Sequence, residues 1–193
     1  VGERGLKVRQ ENERTQNALQ SCGIEPEDVQ LVFLTPLQSY ATANVPLFQS
    51  ARICLSRRGW IEDFHAPPRE IHVPRKLRIP DETLQYLCIS APEQLCLLSD
   101  EPNIIWPGIR TWWVGTHHRS SMAIAIDTPK GTVVASDCFF KYGKVNLFQI
   151  LVLKKWMPNM ISVDFPIVLR GKFFLYVHND SSLKCCLNLG YES

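Results

Sequence analysis

The chain has 193 residues, a hydrophobic share of 45% and a formal net charge of +2. This length and composition predict a single globular domain over residues 1–193 and argue against a disordered chain. Because the net charge is small and the basic residues are scattered, the sequence lacks the strong positive surface that favours nucleic acid or acidic lipid. We therefore expect no nucleic-acid partner and no membrane partner.

The apolar runs and the cysteines indicate the compartment. No apolar run reaches the roughly 20 residues that cross a bilayer, and no secretory leader opens the sequence. The seven cysteines include no Cys-x-x-Cys pair, and several lie inside apolar runs, where a reduced thiol packs as a small hydrophobe. We therefore expect reduced thiols and a cytoplasmic location.

The first predicted elements are a helix over residues 11–22, with Gly23 as its stop, and a strand over residues 29–34. The strand is an apolar, β-rich run, which predicts burial on both of its faces. It ends at Thr35 and Pro36, and a polar loop follows. Loops that leave a buried strand at the edge of a sheet often carry functional side chains, so this loop is the first candidate site.

The remainder of the chain predicts a mixed α/β order. Apolar runs bounded by turn residues predict strands over residues 51–55, 95–98, 121–127, 132–136 and 173–177, and short helices over residues 57–64 and 81–87. Residues 104–113, broken by Pro107 and Gly108, join the next two strands in an antiparallel stretch on one face of a sandwich. Residues 65–80 predict a surface loop, and residues 145–156 fit either a helix or a strand.

Three stretches resemble the metallo-β-lactamase superfamily, and most closely its N-acyl homoserine lactonase-like branch. Residues 23–29 form a Gly-Ile-x-Pro-Glu-Asp-Val turn that runs into the first strand and then into Thr35-x-Leu37. Residues 114–122 resemble the family's Gly-Gly-His-x-x-Gly-Ser loop, and residues 131–137 resemble its strand that ends in a bridging aspartate. The resemblance implies an α/β protein, an αββα sandwich of the metallo-β-lactamase type. The family's first strands are missing, either because the chain is a fragment or because the protein lacks them.

In that frame, four ligand positions of the first loop hold other residues. Pro36, Gln38, Tyr40 and Ala41 stand where the family has His, His, Asp and His. Proline and alanine side chains offer no donor atom, and a glutamine amide is a poor zinc ligand. A tyrosine binds metal only as a phenolate, and its unperturbed pKa is about 10. The resemblance therefore implies a degenerate metal site.

Other family ligands are retained. The resemblance places His117 on a metal-binding histidine and Asp137 on the bridging aspartate, with His118 as a further candidate. Near the end of the chain the last family ligand falls on Asn179, with His178 beside it, and a slip of one residue would restore a histidine. Two or three ligands can hold one metal ion weakly, but they cannot hold the pair that activates a bridging hydroxide.

Two functions follow from these residues. The first is a non-catalytic protein in a binding or assembly role, with no cofactor or with zinc at low occupancy. The alternative is a metal-dependent lactonase- or esterase-type hydrolase, with a reduced site of His117, Asp137 and either His178 or His118. His117 and Asp137 also fit ordinary hydrogen-bonded positions in a loop and at a strand end.

The expected partners rest on the resemblance and on aromatic residues. The lactonase branch implies a homodimer. Trp106, Trp112 and Trp113 fit core packing or an interface, and they also fit a pocket for a small hydrophobic ligand. Cys138 and Tyr142, which lie near the candidate ligand Asp137 in sequence, fit packing positions better than catalytic ones.

Overall fold

The computed structural model describes residues 15–62, 74, 77–115, 117–128, 131–137, 168–169, 172–177 and 183–188, the last three ranges as backbone. Within these residues, ten strands form two five-stranded sheets. The strands are β1 Leu31–Leu34, β2 Arg52–Ser56, β3 Leu95–Leu98, β4 Asn103–Trp106, β5 Ile109–Trp113, β6 Met122–Thr128, β7 Gly131–Ser136, β8 Val168–Leu169, β9 Lys172–Val177 and β10 Leu183–Asn188.

The first sheet is mixed and has the strand order β10-β9-β1-β2-β3. β1, β2 and β3 are parallel, and β9 pairs antiparallel with both β1 and β10. The second sheet has the order β4-β5-β6-β7-β8, and β4 to β7 run antiparallel through tight turns. Among the described strands of this second sheet, β7 and β8 form the one parallel pair. The predicted antiparallel stretch therefore supplies four of the five described strands of the second sheet.

Two apolar clusters cover the two faces of the first sheet. Leu31 and Phe33 of β1 pack toward the second sheet, in a cluster that includes Ile109 and Ile124. The alternate residues of β1 pack into the other cluster, with residues from helices and loops. Because strand side chains alternate between faces, β1 is buried on both sides, as its continuous apolar run predicts.

Short helices form a layer over the outer face of the first sheet. They are α1 Thr15–Ser21, α2 Ser39–Thr42, α3 Arg57–Trp60 and α4 Asp81–Gln85, with a π-helical turn at Tyr86–Ser90 after α4. Leu19 of α1 and Trp60 of α3 lie in the outer cluster. Ser56 begins α3 by accepting a hydrogen bond from the Gly59 N–H at 3.0 Å, which is the usual role of serine at a helix start. No helix in the described parts of the chain is long and apolar enough to cross a membrane.

The predicted elements can be compared directly with these bounds. The strands predicted for residues 51–55, 95–98, 121–127, 132–136 and 173–177 are confirmed as β2, β3, β6, β7 and β9. β8 and β10 were not predicted. The start of the helix predicted for residues 11–22, most of the loop at residues 65–80 and all of residues 145–156 lie outside the described residues.

The aromatic segment packs mainly into the core. Trp112 is 2% exposed, and Trp106 and Trp113 pack against the cluster between the sheets. The guanidinium of Arg58 lies 4.2 Å from the Trp113 ring centroid, in a cation–π contact. The packing interpretation of these tryptophans is confirmed, while a small hydrophobic ligand stays a prediction.

Candidate functional site

The site begins where β1 ends. Thr35 is the first residue after that strand, and its hydroxyl accepts a hydrogen bond from the Met122 N–H at 3.0 Å. The same hydroxyl donates to Oδ1 of Asp137. Met122 opens β6 and Asp137 directly follows β7, so this single side chain joins the end of β1 to the second sheet. The threonine that the resemblance placed in the loop therefore has a structural function of its own.

Asp137 is the centre of the polar cluster. Its Oδ2 accepts a hydrogen bond from Ser121 Oγ at 2.7 Å and lies 3.2 Å from Nδ1 of His117. Its side chain is 11% exposed, so these contacts replace much of the water that a carboxylate would otherwise bind. Together with Thr35, three side chains hold this carboxylate in one orientation.

The loop between β5 and β6 carries both candidate histidines. Its turn is closed by hydrogen bonds in both directions, from the Ser121 N–H to the His118 carbonyl at 3.0 Å and from the His118 N–H to Ser121 Oγ at 2.9 Å. Ser120 Oγ accepts from the Leu37 N–H at 2.9 Å, which ties this loop to the loop after β1. A Cβ on Gly59 would overlap Ser120, so α3 requires a glycine where it meets the histidine loop.

The two histidines lie against each other and against Gln38. The ring centroids of His117 and His118 are 3.9 Å apart, and Gln38 Nε2 lies 3.2 Å from each ring nitrogen of His118. Burial lowers the pKa of His118, and the neighbouring His117 lowers it further, while Asp137 opposes both effects. The neutral imidazole that this favours is the form that binds metals.

Three donor groups converge in this cluster. One ligand atom each from His117, His118 and Asp137 can be chosen so that all three lie within 4.8 Å of one another. Two ligands of a tetrahedral zinc ion, with bonds of about 2.0–2.1 Å, are about 3.4 Å apart. The 3.2 Å between His117 Nδ1 and Asp137 Oδ2 is close to that value and is also an ordinary hydrogen-bond length. The three donors could therefore hold one metal ion.

The residues of the first loop do not fit a second ion. Pro36 and Ala41 carry no donor atom, and Tyr40 is 44% exposed. Gln38 is 5% exposed and reaches the cluster, but its amide contacts the His118 ring. Among the described residues, only the three-member cluster could hold a metal ion. The degenerate metal site that the resemblance implies stays a prediction, because the candidate ligands His178 and Asn179 lie outside the described residues.

The structure brings together some predicted residues and adds others. Thr35, Ser121 and Ser120 organise the cluster, but the sequence prediction assigned them no role. Their position in the two motif loops was the available signal, since small hydroxyl residues beside ligands commonly orient them. His178, Asn179, Cys138 and Tyr142 lie outside the described residues.

Comparison with solved structures identifies the fold. The chain is similar to an N-acyl homoserine lactone hydrolase whose product, N-hexanoyl-L-homoserine, is bound at the catalytic metal centre. The TM-score is 0.53 and the sequence identity is 16%, and the match covers 84% of this chain and 63% of that chain. A variant of B. thuringiensis AiiA with N-decanoyl-L-homoserine bound at its active site gives the same values. A quorum-quenching N-acyl homoserine lactone hydrolase has a TM-score of 0.53, 17% identity, and coverage of 84% and 65%.

These neighbours define the fold of the chain. The chain has the metallo-β-lactamase fold, and its structural neighbours include N-acyl homoserine lactonases. No protein-family model matches the sequence, and no curated protein matches it. The chain spans less than two thirds of the length of the three hydrolases above, at 63% to 65%. At such low identity, the comparison shows the fold alone.

Proposed function

We propose that this chain is a non-catalytic protein of the metallo-β-lactamase fold that binds a single divalent metal ion through His117, His118 and Asp137. The observation that carries the proposal is the difference between the two motif loops. Three donors converge around Asp137, whereas the first loop offers no good donor at four positions. A one-metal site can orient a ligand or stabilise a loop without performing hydrolysis.

The chemical argument concerns the nucleophile. In a paired centre, the two ions together lower the pKa of a bridging water and clamp the reacting oxygens. Three ligands are too few for two ions that each take about four. A carbonyl substrate placed near Asp137 would therefore lack the bridging hydroxide, and we expect no turnover of lactones by the route that a paired centre uses.

A second function is supported by the ligand count. Catalytic zinc sites commonly use three protein ligands and leave one position for water or substrate, which is the number of donors in this cluster. A mononuclear lactone or ester hydrolase is therefore the alternative. In such an enzyme, His117, His118 and Asp137 would hold the ion, and Thr35 and Ser121 would orient the carboxylate.

Metal analysis and a hydrolysis screen on the same preparation separate these functions. We expect one zinc per chain after equilibration with zinc, and no lactone or ester hydrolysis above the rate of the metal-free protein; a chain without bound zinc would refute the proposal. Stoichiometric zinc together with hydrolysis that chelation abolishes would replace the first proposal with the second. Two tightly bound ions per chain would contradict both.

Matched variants identify the ligands. Asp137→Asn removes the cluster's only charged donor while keeping its size, and we expect a loss of zinc affinity of at least tenfold, since changes to ligands or their supports cost 10- to 100-fold or more. The control is Asp127→Asn on β6, because Asp127 contacts Arg110 and Thr132 and lies outside the cluster. Equal zinc binding by both variants would show that the cluster is not the metal site.

A further inference from the structure

Two cysteines face each other on neighbouring strands of the first sheet, away from the histidine cluster. Cys54 of β2 and Cys96 of β3 are register partners in the parallel pair. Both contact the apolar cluster between the sheets, so their side chains point to the same face. Cys54 is 0% exposed, whereas Cys96 is partly exposed on the outermost strand of the described sheet.

This arrangement suits a covalent link between the two sulfurs. Neighbouring strands are about 4.7–4.9 Å apart, within the Cα separation of about 4.4–6.8 Å that disulfides span. The two thiols are free in the structure and stand at paired register positions of neighbouring strands. Bond formation therefore requires rotation of two small side chains and no rearrangement of strand order.

The surroundings make the two sulfurs chemically unequal. The neighbouring Cys54 thiol and the positive charge of Arg52 lower the pKa of the Cys96 thiol, against an opposing effect of burial. The neighbouring Cys96 thiol and burial raise the pKa of the Cys54 thiol. Cys96 is thus both the more accessible thiol and the one that ionises first. These are the two properties of the attacking member of a dithiol pair.

We propose that Cys54 and Cys96 form a reversible disulfide by exchange with a low-molecular-weight disulfide of the glutathione class. The Cys96 thiolate attacks one sulfur of the small disulfide, whose S–S bond breaks and releases one small thiolate. The released small thiolate then takes the proton of Cys54, and the Cys54 thiolate attacks Cys96 Sγ. The mixed S–S bond breaks, the internal S–S bond forms, and the second small thiolate leaves and takes up the proton that Cys96 lost to solvent on ionising. Two protein thiols are oxidised and one small disulfide is reduced to two small thiols, so electrons and protons balance.

The other cysteines described in residues 15–137 supply internal controls. Cys22 follows α1 and Cys88 lies in the π-helical turn, and both are exposed. Neither lies on a strand opposite another cysteine among the described pairs. They can form mixed disulfides with the small reagent, but among the side chains that the structure describes they have no facing thiol that would resolve them. The pair therefore predicts a different oxidation product from that of an isolated exposed cysteine.

The test uses the native full chain, oxidised glutathione, acid quenching, alkylation under denaturing conditions and peptide mapping by mass spectrometry. We expect a Cys54–Cys96 linked peptide that dithiothreitol reverses, while Cys22 and Cys88 are recovered as free thiols or glutathione adducts. Recovery of Cys54 and Cys96 as alkylated free thiols would overturn the proposal. A stable glutathione adduct on Cys96 without the internal bond would also overturn it.

Two variants test the order of attack, after circular dichroism has confirmed that each is folded. In Cys54→Ala we expect the reaction to stop at a Cys96–glutathione adduct, because the resolving thiol is absent. In Cys96→Ala we expect Cys54 to remain unmodified, because it is fully buried. Modification of Cys54 at the wild-type rate in Cys96→Ala would refute the proposed sequence of steps. The wild-type map remains decisive even if a variant fails to fold.

Discussion

Thr35→Val tests whether the hydroxyl at the end of β1 holds the two sheets together. Valine has almost the same shape as threonine, so the substitution leaves no large cavity, and its effect comes from lost hydrogen bonds. The Met122 N–H loses its acceptor at 3.0 Å inside the core, and the Asp137 carboxylate loses one donor. The Met122 carbonyl remains paired, because Ser136 Oγ donates to it at 2.8 Å.

The expected loss follows from those two groups. A buried donor without a partner costs about 1–3 kcal/mol, and a hydrogen bond to a charged group contributes about 1.5–3 kcal/mol. Since such losses are not additive and Ser121 still donates to Asp137, we expect a decrease in unfolding free energy of about 2–4 kcal/mol. Urea denaturation followed by tryptophan fluorescence measures this as a lower midpoint at an unchanged slope.

The matched control is Thr132→Val on β7. Thr132 Oγ1 also donates to an aspartate, Asp127 Oδ1 at 2.8 Å, but at an exposed site. Water replaces that hydrogen bond when it is lost, so we expect a change within about 0.5 kcal/mol. If both variants lose the same stability, or if Thr35→Val loses less than about 1 kcal/mol, the assigned role of Thr35 is wrong.

Three further predictions concern the same region. Gly59→Ala should lower the unfolding free energy by about 1–3 kcal/mol, because its new methyl group overlaps Ser120. The control is Arg57→Ala on the exposed side of α3, which should change the unfolding free energy by less than about 0.5 kcal/mol in the same denaturation assay. Burial lowers the pKa of His118 in the folded protein. Between that folded pKa and the ordinary histidine pKa of about 6.5, the unfolded chain therefore binds more protons than the folded chain. With EDTA present to remove metal, the unfolding free energy should fall as pH falls through this window. His118→Gln should remove the fall in unfolding free energy across this pH window. An unchanged pH profile in the variant would refute the assignment of that fall to His118. In zinc titrations followed by calorimetry, His117→Ala should weaken binding by at least tenfold, and unchanged affinity would exclude His117 as a ligand.

The sequence predicted the parts of the fold that local pattern determines. The apolar run at residues 29–34, in which Gln30 is the one polar residue, predicted a strand covered on both faces, because a strand with one solvent-exposed face would alternate. β10 was missed because its Leu-Lys-Cys-Cys-Leu-Asn sequence is short and mixes polar with apolar residues, so its pairing with β9 depends on tertiary context. Periodicity alone does not encode that context.

The sequence predicted that His117 and Asp137 lie in one cluster, but it did not predict the side chains that support them. His117 and Asp137 follow from two motif loops, and the structure brings them to 3.2 Å. The roles of Thr35 and Ser121 depend on how the two sheets meet, with residue separations of 102 and 16 from Asp137. The Cys54–Cys96 pair was likewise hidden, because each cysteine sits in an apolar run and only strand register places them opposite each other.

The presence of Asp137 has two independent physical explanations, and the hydrogen bonds distinguish them. As a metal ligand it would need only a free oxygen lone pair directed at the ion. Here its two oxygens also receive donors from the end of β1 and the start of β6, so the carboxylate links both sheets whether or not a metal is bound. Loss of metal ligands in the first loop would therefore not release Asp137 from its structural role. If the role is structural, Asp137→Asn should destabilise the chelated protein as well as weaken zinc binding, since one amide group cannot accept from both Thr35 and Ser121 through two oxygens. A variant that loses zinc affinity at unchanged stability would instead assign Asp137 to the metal alone.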